Sequence, residues 1–259
     1  MKKPEIIRSP KPPAAKDFLW RYFDIHKFLK LLHDRTVRFA RMDQFEDPLE
    51  GIPISALVTY AEKVNLNLVK NVSLSELILD KTLFDPLPLP LQKKLNAINA
   101  IQRTSFVSCW FADATESVAM WNLYANADGV AVKVQFGKLV RQLVMAPARN
   151  LSAYYGGRVS YQNLTNVYRA TQNNSVGRVA LRKDSSFKHE SEFRFVVRVN
   201  DHHNAHTGLD SQPLALHQLN MKVICHPRMP RWKKENIRQL LRQAQLEHAF
   251  EESAIRLRS

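Results

Sequence analysis

"FKHESEFRFVVRVN", residues 187–200, alternates apolar side chains with strong charges along most of its length. Successive side chains of a β-strand point to opposite faces of the sheet. Ser191, Phe193, Phe195, Val197 and Val199 then share one face, and Glu190, Glu192, Arg194, Val196 and Arg198 share the other. The first set is a core face. The second sets two carboxylates in adjacent pleat positions, about 6–7 Å apart along the strand, with an arginine next in line. Such a row is either a solvated sheet face or the floor of a site. Periodicity by itself favours the solvated face, where cross-strand Glu/Arg pairs are common.

Other strands flank this one. "FLWRYF" (18–23), "VRFARM" (37–42), "SFVSCWF" (105–111), "VAVKVQF" (130–136), "AYYGGRVSY" (153–161) and "MKVICHP" (221–227) read as strands, and "SAIRLRS" (253–259) as an edge strand. The Gly156-Gly157 pair marks a bulge or a close backbone approach. Asp24 is placed to cap a helix whose Ile25, Phe28, Leu29 and Leu32 follow the i, i+3, i+4, i+7 template. Helices are also predicted over 52–80, 91–103 and 116–125, in "FGKLVRQLV" (136–144) and in the basic "RWKKENIRQLLRQAQLE" (231–247); a polar helix and loop fill 162–185. "FDPLPLPLQ" (84–92) is too rich in proline for a regular element and reads as a connector. In "FEDPLEGI" (45–52), Asp47 as N-cap, Pro48 at the first helical position and Glu50 two residues later resemble a capping box.

The class is α+β, with helices crowded into the first 125 residues and strands into the rest. Residues 1–17 read as a flexible basic arm, 18–259 as a single domain, and 52–103 as a helical insertion into it. No glycine-rich loop follows a strand to open a helix, which excludes a P-loop or Rossmann fingerprint.

The chain has 259 residues, 45% of them apolar, enough for a sizeable core. No apolar run approaches the ~18–20 residues of a membrane span, and the start lacks the apolar segment of a secretory signal. Cys109 and Cys225 stand far apart, which argues against a disulfide framework or zinc ribbon. A cytoplasmic protein with no membrane partner is expected. The net charge of +14 attracts polyanions such as nucleic acid. Its cations are spread along the chain, so a basic face is expected rather than a tail.

Several groups are candidates for chemistry. Glu190 and Glu192 are suited to stabilising an oxocarbenium-like transition state, as in cleavage of NAD⁺ at its nicotinamide. Trp121 and Tyr124 lie three residues apart on one helix face and are suited to stacking a ring or to filling core, with Tyr124 the better placed to reach a cleft. Asp43, Glu46, Asp47 and Glu50 offer oxygen ligands for a hard cation, but capping accounts for them without a metal. His202, His203 and His206 read as an exposed hairpin tip, since a tetrahedral site would need a ligand from elsewhere. No metal site is expected.

Together, "WRYF", "FEDPLEG", "VSCWF", "MWNLYA" with "DGVAV", and "LRKDSSFKHESEFRFV" resemble a prokaryotic domain-of-unknown-function family of mobile and phage-defence loci. Its pattern is an aromatic/basic opening strand, Phe-Asn-Asp-Pro-Phe-Glu, Ser then Trp-x-x-Tyr-Ala, and Lys then Glu-x-Glu-aromatic-Arg, matched over about residues 18–200. Glu46 departs from the family's asparagine and Phe187 from its tryptophan. The layout is similar to the ADP-ribosyltransferase fold, which implies an ADP-ribosyltransferase-like strand core and NAD as co-substrate. Carried over, the resemblance implies that Arg21 holds the dinucleotide phosphates, Ser108 (or Ser105) supports the nicotinamide side, and Tyr22 and Tyr124 stack. Glu192 is then the catalytic carboxylate, and Glu190 orients the acceptor.

The leading expectation is an NAD⁺-dependent ADP-ribosyltransferase, a toxin or defence effector that modifies nucleic acid, RNA first, with an acidic antitoxin as partner. Two alternatives stand beside it. One is a non-catalytic basic module that binds nucleic acid or an acidic protein. The other is a metal-dependent nuclease built on Glu190, Glu192 and an acidic residue of 43–50.

Overall fold

The computed structural model describes residues 2–47, 50–51, 89–146, 151–163, 176–200 and 207–256. The predicted helix 52–80, most of the proline connector, the histidines of 202–206 and residues 257–259 lie outside them. Helix Leu89–Thr104 covers the helix predicted at 91–103.

A mixed sheet organises the described chain. Its strands are β1 (Glu5–Ile6), β2 (Phe18–Phe23), β3 (Arg38–Arg41), β4 (Ser105–Phe111), β5 (Val130–Gln135) and β6 (Leu151–Arg158). They continue with β9 (Glu192–Val199), β10 (Gly208–Asp210), β11 (Lys222–Cys225) and β12 (Phe250–Glu251), while β7 (Ser160–Gln162) and β8 (Arg182–Asp184) form a separate parallel pair. The order across the sheet is β1-β6-β9-β4-β2-β5-β11-β12, with β3 joining β4 and β10 joining β3. β4 and β9 hold the centre, paired in antiparallel register from Ser105↔Arg198 to Phe111↔Glu192.

The alternation of β9 divides its surroundings in two. Phe193, Phe195 and Val197 face the main core with Leu19, Phe23, Trp110, Val132 and Val223. Helices Ile25–Asp34, Phe136–Gln142 and Arg231–Gln243 close this side through Phe28 and Leu31, Leu139, and Ile237 and Leu241. Asp24 caps the first of these helices by accepting the Lys27 N–H, a bond that satisfies one of its orphan donors. On the opposite face, two smaller apolar clusters flank a gap. One contains Trp20, Tyr22, Phe111, Met120 and Trp121; the other contains Ile7, Met42, Val107, Leu181 and Val196. Between Phe111 and Val107 on β4, and between the start of β9 and Val196, the sheet presents Cys109, Glu192 and Arg194.

One edge of β4 is shared. β2 meets it at Trp20↔Phe111, whereas β3 meets it at Ala40↔Val107 and Arg41↔Phe106. The Arg21 guanidinium spans the split, donating to Ser108 Oγ at 3.1 Å and to the Arg38 carbonyl at 3.2 Å.

Three sequence expectations are corrected. The strand predicted from 187 begins at Glu192. Ser185–Glu190 form a 3₁₀ turn, capped by Asp184 accepting the Ser186 N–H and closed by Ser191 at φ 40°. Short polar side chains that bond the local backbone compete here with strand formation. The N-terminal arm is docked, not free. Glu5–Ile6 pairs in parallel with Tyr155–Gly156, and the Ile7 side chain is buried. Farther along the arm, Ala15 lies so close to Gly137 that a Cβ there would sit 2.8 Å from the Ala15 carbonyl oxygen. The edge strand placed at 253–259 falls instead at Phe250–Glu251, parallel to Val223–Ile224. Among the described residues no helix is long and apolar enough to cross a membrane.

Candidate functional site

On the gapped face of β9 lies a buried cluster of five ionisable side chains: Glu50, Lys183, Glu190, Glu192 and Arg194. Arg194, fully buried, is its centre. Its Nε donates to Glu192 Oε2 at 2.5 Å, its Nη2 to Glu50 Oε1 at 3.1 Å and its Nη1 to the Ala180 carbonyl at 3.0 Å. Glu50 Oε2 lies 2.9 Å from Nη1, so the carboxylate faces the two terminal nitrogens of the guanidinium end-on, the planar fork that arginine offers and lysine does not. Lys183 Nζ bridges Glu50 Oε1 at 3.1 Å and Glu190 Oε2 at 2.5 Å, and lies 4.3 Å from the centre of the Phe187 ring.

The five members arrive from four pieces of local structure. Glu192 and Arg194 project from alternate positions of β9. Lys183 is the middle residue of β8, and Glu190 ends the 3₁₀ turn. Glu50 follows β3, and its N–H donates to the Asp47 carbonyl at 3.2 Å. The capping role assigned to Glu50 is therefore corrected: its carboxylate turns inward to two cations. Two cations and charge-assisted bonds offset the cost of burying this carboxylate.

Two tyrosines border the cluster. Tyr124, 44% exposed, donates its phenol to Glu190 Oε1 at 2.5 Å and so links the buried charges to the surface. The Tyr161 oxygen accepts the Glu192 N–H at 2.8 Å. Burial, and after it the bond to Glu190, pushes the Tyr124 hydroxyl well above the usual tyrosine range, so it stays a donor. Burial opposes charge on Arg194 and Lys183, but Glu192 and Glu50 outweigh it and hold both cations protonated beyond their ordinary ranges. Cys109, opposite Arg194 across the strand pair, is pushed up by burial and then by Glu192, which leaves it an inert thiol.

The oxygens of the three carboxylates are not equivalent. Both oxygens of Glu190 are held by Tyr124 and Lys183; Glu50 Oε1 is held by Arg194 and Lys183, and Glu50 Oε2 lies against Arg194 without a hydrogen bond among the described residues. Glu192 Oε2 is taken by Arg194, while Glu192 Oε1 makes no hydrogen bond to the described residues. With all five groups ionised, three carboxylates against two cations leave one net negative charge.

The remaining residues expected at the site are dispersed. Arg21 and Ser108 lie on the opposite face of the sheet, since Ser108 pairs with Phe195 and Glu192 with Phe111. Arg21 stacks there over Phe23 and Trp110 and bonds Ser108, which also accepts the Trp110 N–H. Burial lowers the Arg21 pKa, and the residue acts as a brace between β2 and β3. The expected convergence of Arg21, Ser108 and Glu192 on one cleft is thus not found. The period of two sets Arg21 and Ser108 on one side and the acids on the other. Ser105, fully buried, pairs with Arg198 at the far end of β4. Tyr22 and Trp121 are core. Their rings meet edge to face at 5.0 Å, Tyr22 OH accepts the Ser117 N–H, and the Trp121 N–H donates to Glu116. Of the two helical aromatics only Tyr124 reaches the carboxylates.

Sequence reasoning did not single out Lys183, Tyr161 or the inward turn of Glu50. Lys183 stands among other basic residues in "LRKDSSFK", and spacing does not distinguish it from them. Among the described residues no group of three His, Cys, Asp or Glu side chains is disposed to hold a metal ion. No family model matches the chain, no curated protein is similar to it, and no solved structure matches its fold.

Proposed function

We propose that this chain is an NAD⁺-dependent ADP-ribosyltransferase, acting on nucleic acid with RNA first, in which Glu192 is the catalytic carboxylate. The observation that carries the reading is the uncommitted Oε1 of Glu192. It belongs to a carboxylate whose other oxygen is fixed by a fully buried guanidinium, within a cluster of net negative charge. A preorganised carboxylate of this kind stabilises a positive charge that develops on the donor ribose. The N-glycosidic bond breaks with its electron pair leaving on neutral nicotinamide. The acceptor then adds to the ribose C1′ and gives up a proton. Glu190, tied to Lys183 and to the surface through Tyr124, orients the acceptor. The strands splaying from β4 and the late Glu-x-Glu support an ADP-ribosyltransferase-like core, and a toxin or defence role follows from the same resemblance. With Arg21 and Ser108 on the other face, neither is assigned to the donor.

The test is incubation with labelled NAD⁺ and RNA, DNA or lysate protein. Label transfer that is lost in Glu192→Gln, by about a hundredfold or more, supports the reading; no transfer and no loss of NAD⁺ overturns it. The nuclease alternative draws on the convergence of Glu50, Glu190 and Glu192, but their oxygens face Lys183 and Arg194. It would be favoured by RNA cleavage that a chelator abolishes. The binding-module alternative would be favoured by RNA affinity with no turnover of NAD⁺.

A further inference from the structure

A cavity of about 390 Å³ opens at the end of the sheet, lined by Pro13, Lys16, Asp17, Phe18, Ala112, Asp113, Ala114, Lys133 and Arg158. It has the size of a small-ligand site, and its charges are arranged unequally. The two acids are committed to their own turns: Asp17 Oδ2 accepts the Ala14 N–H at 2.7 Å and Asp113 Oδ1 the Ala114 N–H at 2.6 Å. Lys16 and Arg158 have no carboxylate partner among the described residues, and Lys133 has a distant one. Lys16 makes no polar contact there, and the nearest carboxylate to Lys133 is that of Glu251, 4.0 Å away. The Lys133 ammonium rests between Phe18 and Trp20, 4.9 and 4.8 Å from their ring centres. Arg158 spends Nε and Nη1 on the carbonyls of Lys11 and Ala112, which fix its guanidinium and leave Nη2 without a hydrogen bond among the described residues. Lys16 and Arg158 thus stand without acid partners beside an aromatic wall, while the two acids of the lining are engaged in their own turns.

We propose that this cleft binds the phosphate groups of a small phosphorylated ligand, with Lys16, Lys133 and Arg158 as its donors. The cleft adjoins the start of β9. Ala112, in its wall, donates its N–H to the carbonyl of Ser191, the residue before Glu192. Identifying the ligand as the pyrophosphate of a dinucleotide donor rests on the function proposed above; binding of phosphate does not. Cations with no anionic partner, or only a distant one, gain charge-assisted bonds when phosphate arrives. The docked N-terminal arm supplies Pro13 and Lys16, so the cleft exists only because the arm is held in place.

Calorimetric titration of the full chain with inorganic pyrophosphate and with ADP, at low ionic strength, tests the site. Both bind the native chain. The Lys16→Ala, Lys133→Gln double variant weakens each by about tenfold or more, with an unchanged urea midpoint for Lys16→Ala as the control for folding. Glu192→Gln leaves both affinities in place. Absence of binding by pyrophosphate and ADP, equal affinity in the double variant, or binding of single-stranded RNA alone overturns the assignment. Pyrophosphate binding without NAD⁺ turnover keeps the cleft and removes the transferase; turnover indifferent to the double variant keeps the transferase and removes the cleft as its donor site.

Discussion

Arg194 makes every polar contact its guanidinium offers to the cluster, and the consequences of removing it are correspondingly large. Arg194→Met leaves Glu50 and Glu192 buried without their cation, which costs about 3–5 kcal/mol. The unfolding free energy from urea titration should fall by that amount, seen as a lower midpoint at unchanged slope. Lys183 carries a pH signature. Its folded-state pKa is raised, so the folded protein retains a proton that the unfolded chain releases near the ordinary lysine value of about 10.4. The stabilisation is complete below that pH and is lost as pH rises through the folded value. Thermal midpoints between about pH 9 and 12 should therefore decline more steeply in the native protein than in Lys183→Met. Tyr124→Phe separates structure from chemistry. Glu190 keeps Lys183 but its Oε1 loses the phenol donor, so stability falls by about 1–3 kcal/mol; on the proposed transferase reading, transfer from NAD⁺ under saturating donor falls about tenfold or more.

At the scale of elements, the N-terminal arm and β6 depend on each other. β6 pairs with β9 on one side, and β1 covers part of its other edge. An uncovered edge strand is a template for association. Deleting residues 2–8 removes the buried Ile7 side chain, worth about 1.5–3 kcal/mol, and bares that edge. The truncated chain should show a lower melting temperature and concentration-dependent scattering. Gly137→Ala probes the arm from the other end. Its Cβ would press on the backbone of Ala15, a displacement costing about 1–3 kcal/mol. The same shift moves Lys16, so pyrophosphate affinity should drop together with stability.

At the scale of the molecule, the net charge of +14 conceals local neutrality. The basic helix Arg231–Gln243 looks from its composition like a polyanion-binding face. Yet Lys233 pairs with Asp128, Lys234 and Arg238 with Glu252, and Arg242 with Glu247. Pairs of this exposed kind add little stability, but they do neutralise the surface. Filter binding to single-stranded RNA should weaken steeply as salt rises. Lys234→Ala and Arg242→Ala should barely change that affinity.

The elements were legible because they rest on local rules. Alternation marked β5 and β9, short apolar and aromatic runs marked β2 and β4, and Asp24 marked the start of its helix. The basic run 231–247 was read as a helix, and the glycine pair marked a bulge or close approach, where a Cβ on Gly157 would lie 2.6 Å from Leu181. Glu190 and Glu192 could be singled out as charges beside a core strand. What tertiary structure decided was their surroundings. The solvated face that periodicity favoured is a buried one, because β8 and the turn before β9 fold back over it and Glu50 reaches it from a distant part of the chain. Arg21 and Glu192 each sit on a strand of known period, but which face of one strand matches which face of another depends on register. Register is set by pairing across the sheet, and no single strand contains that information.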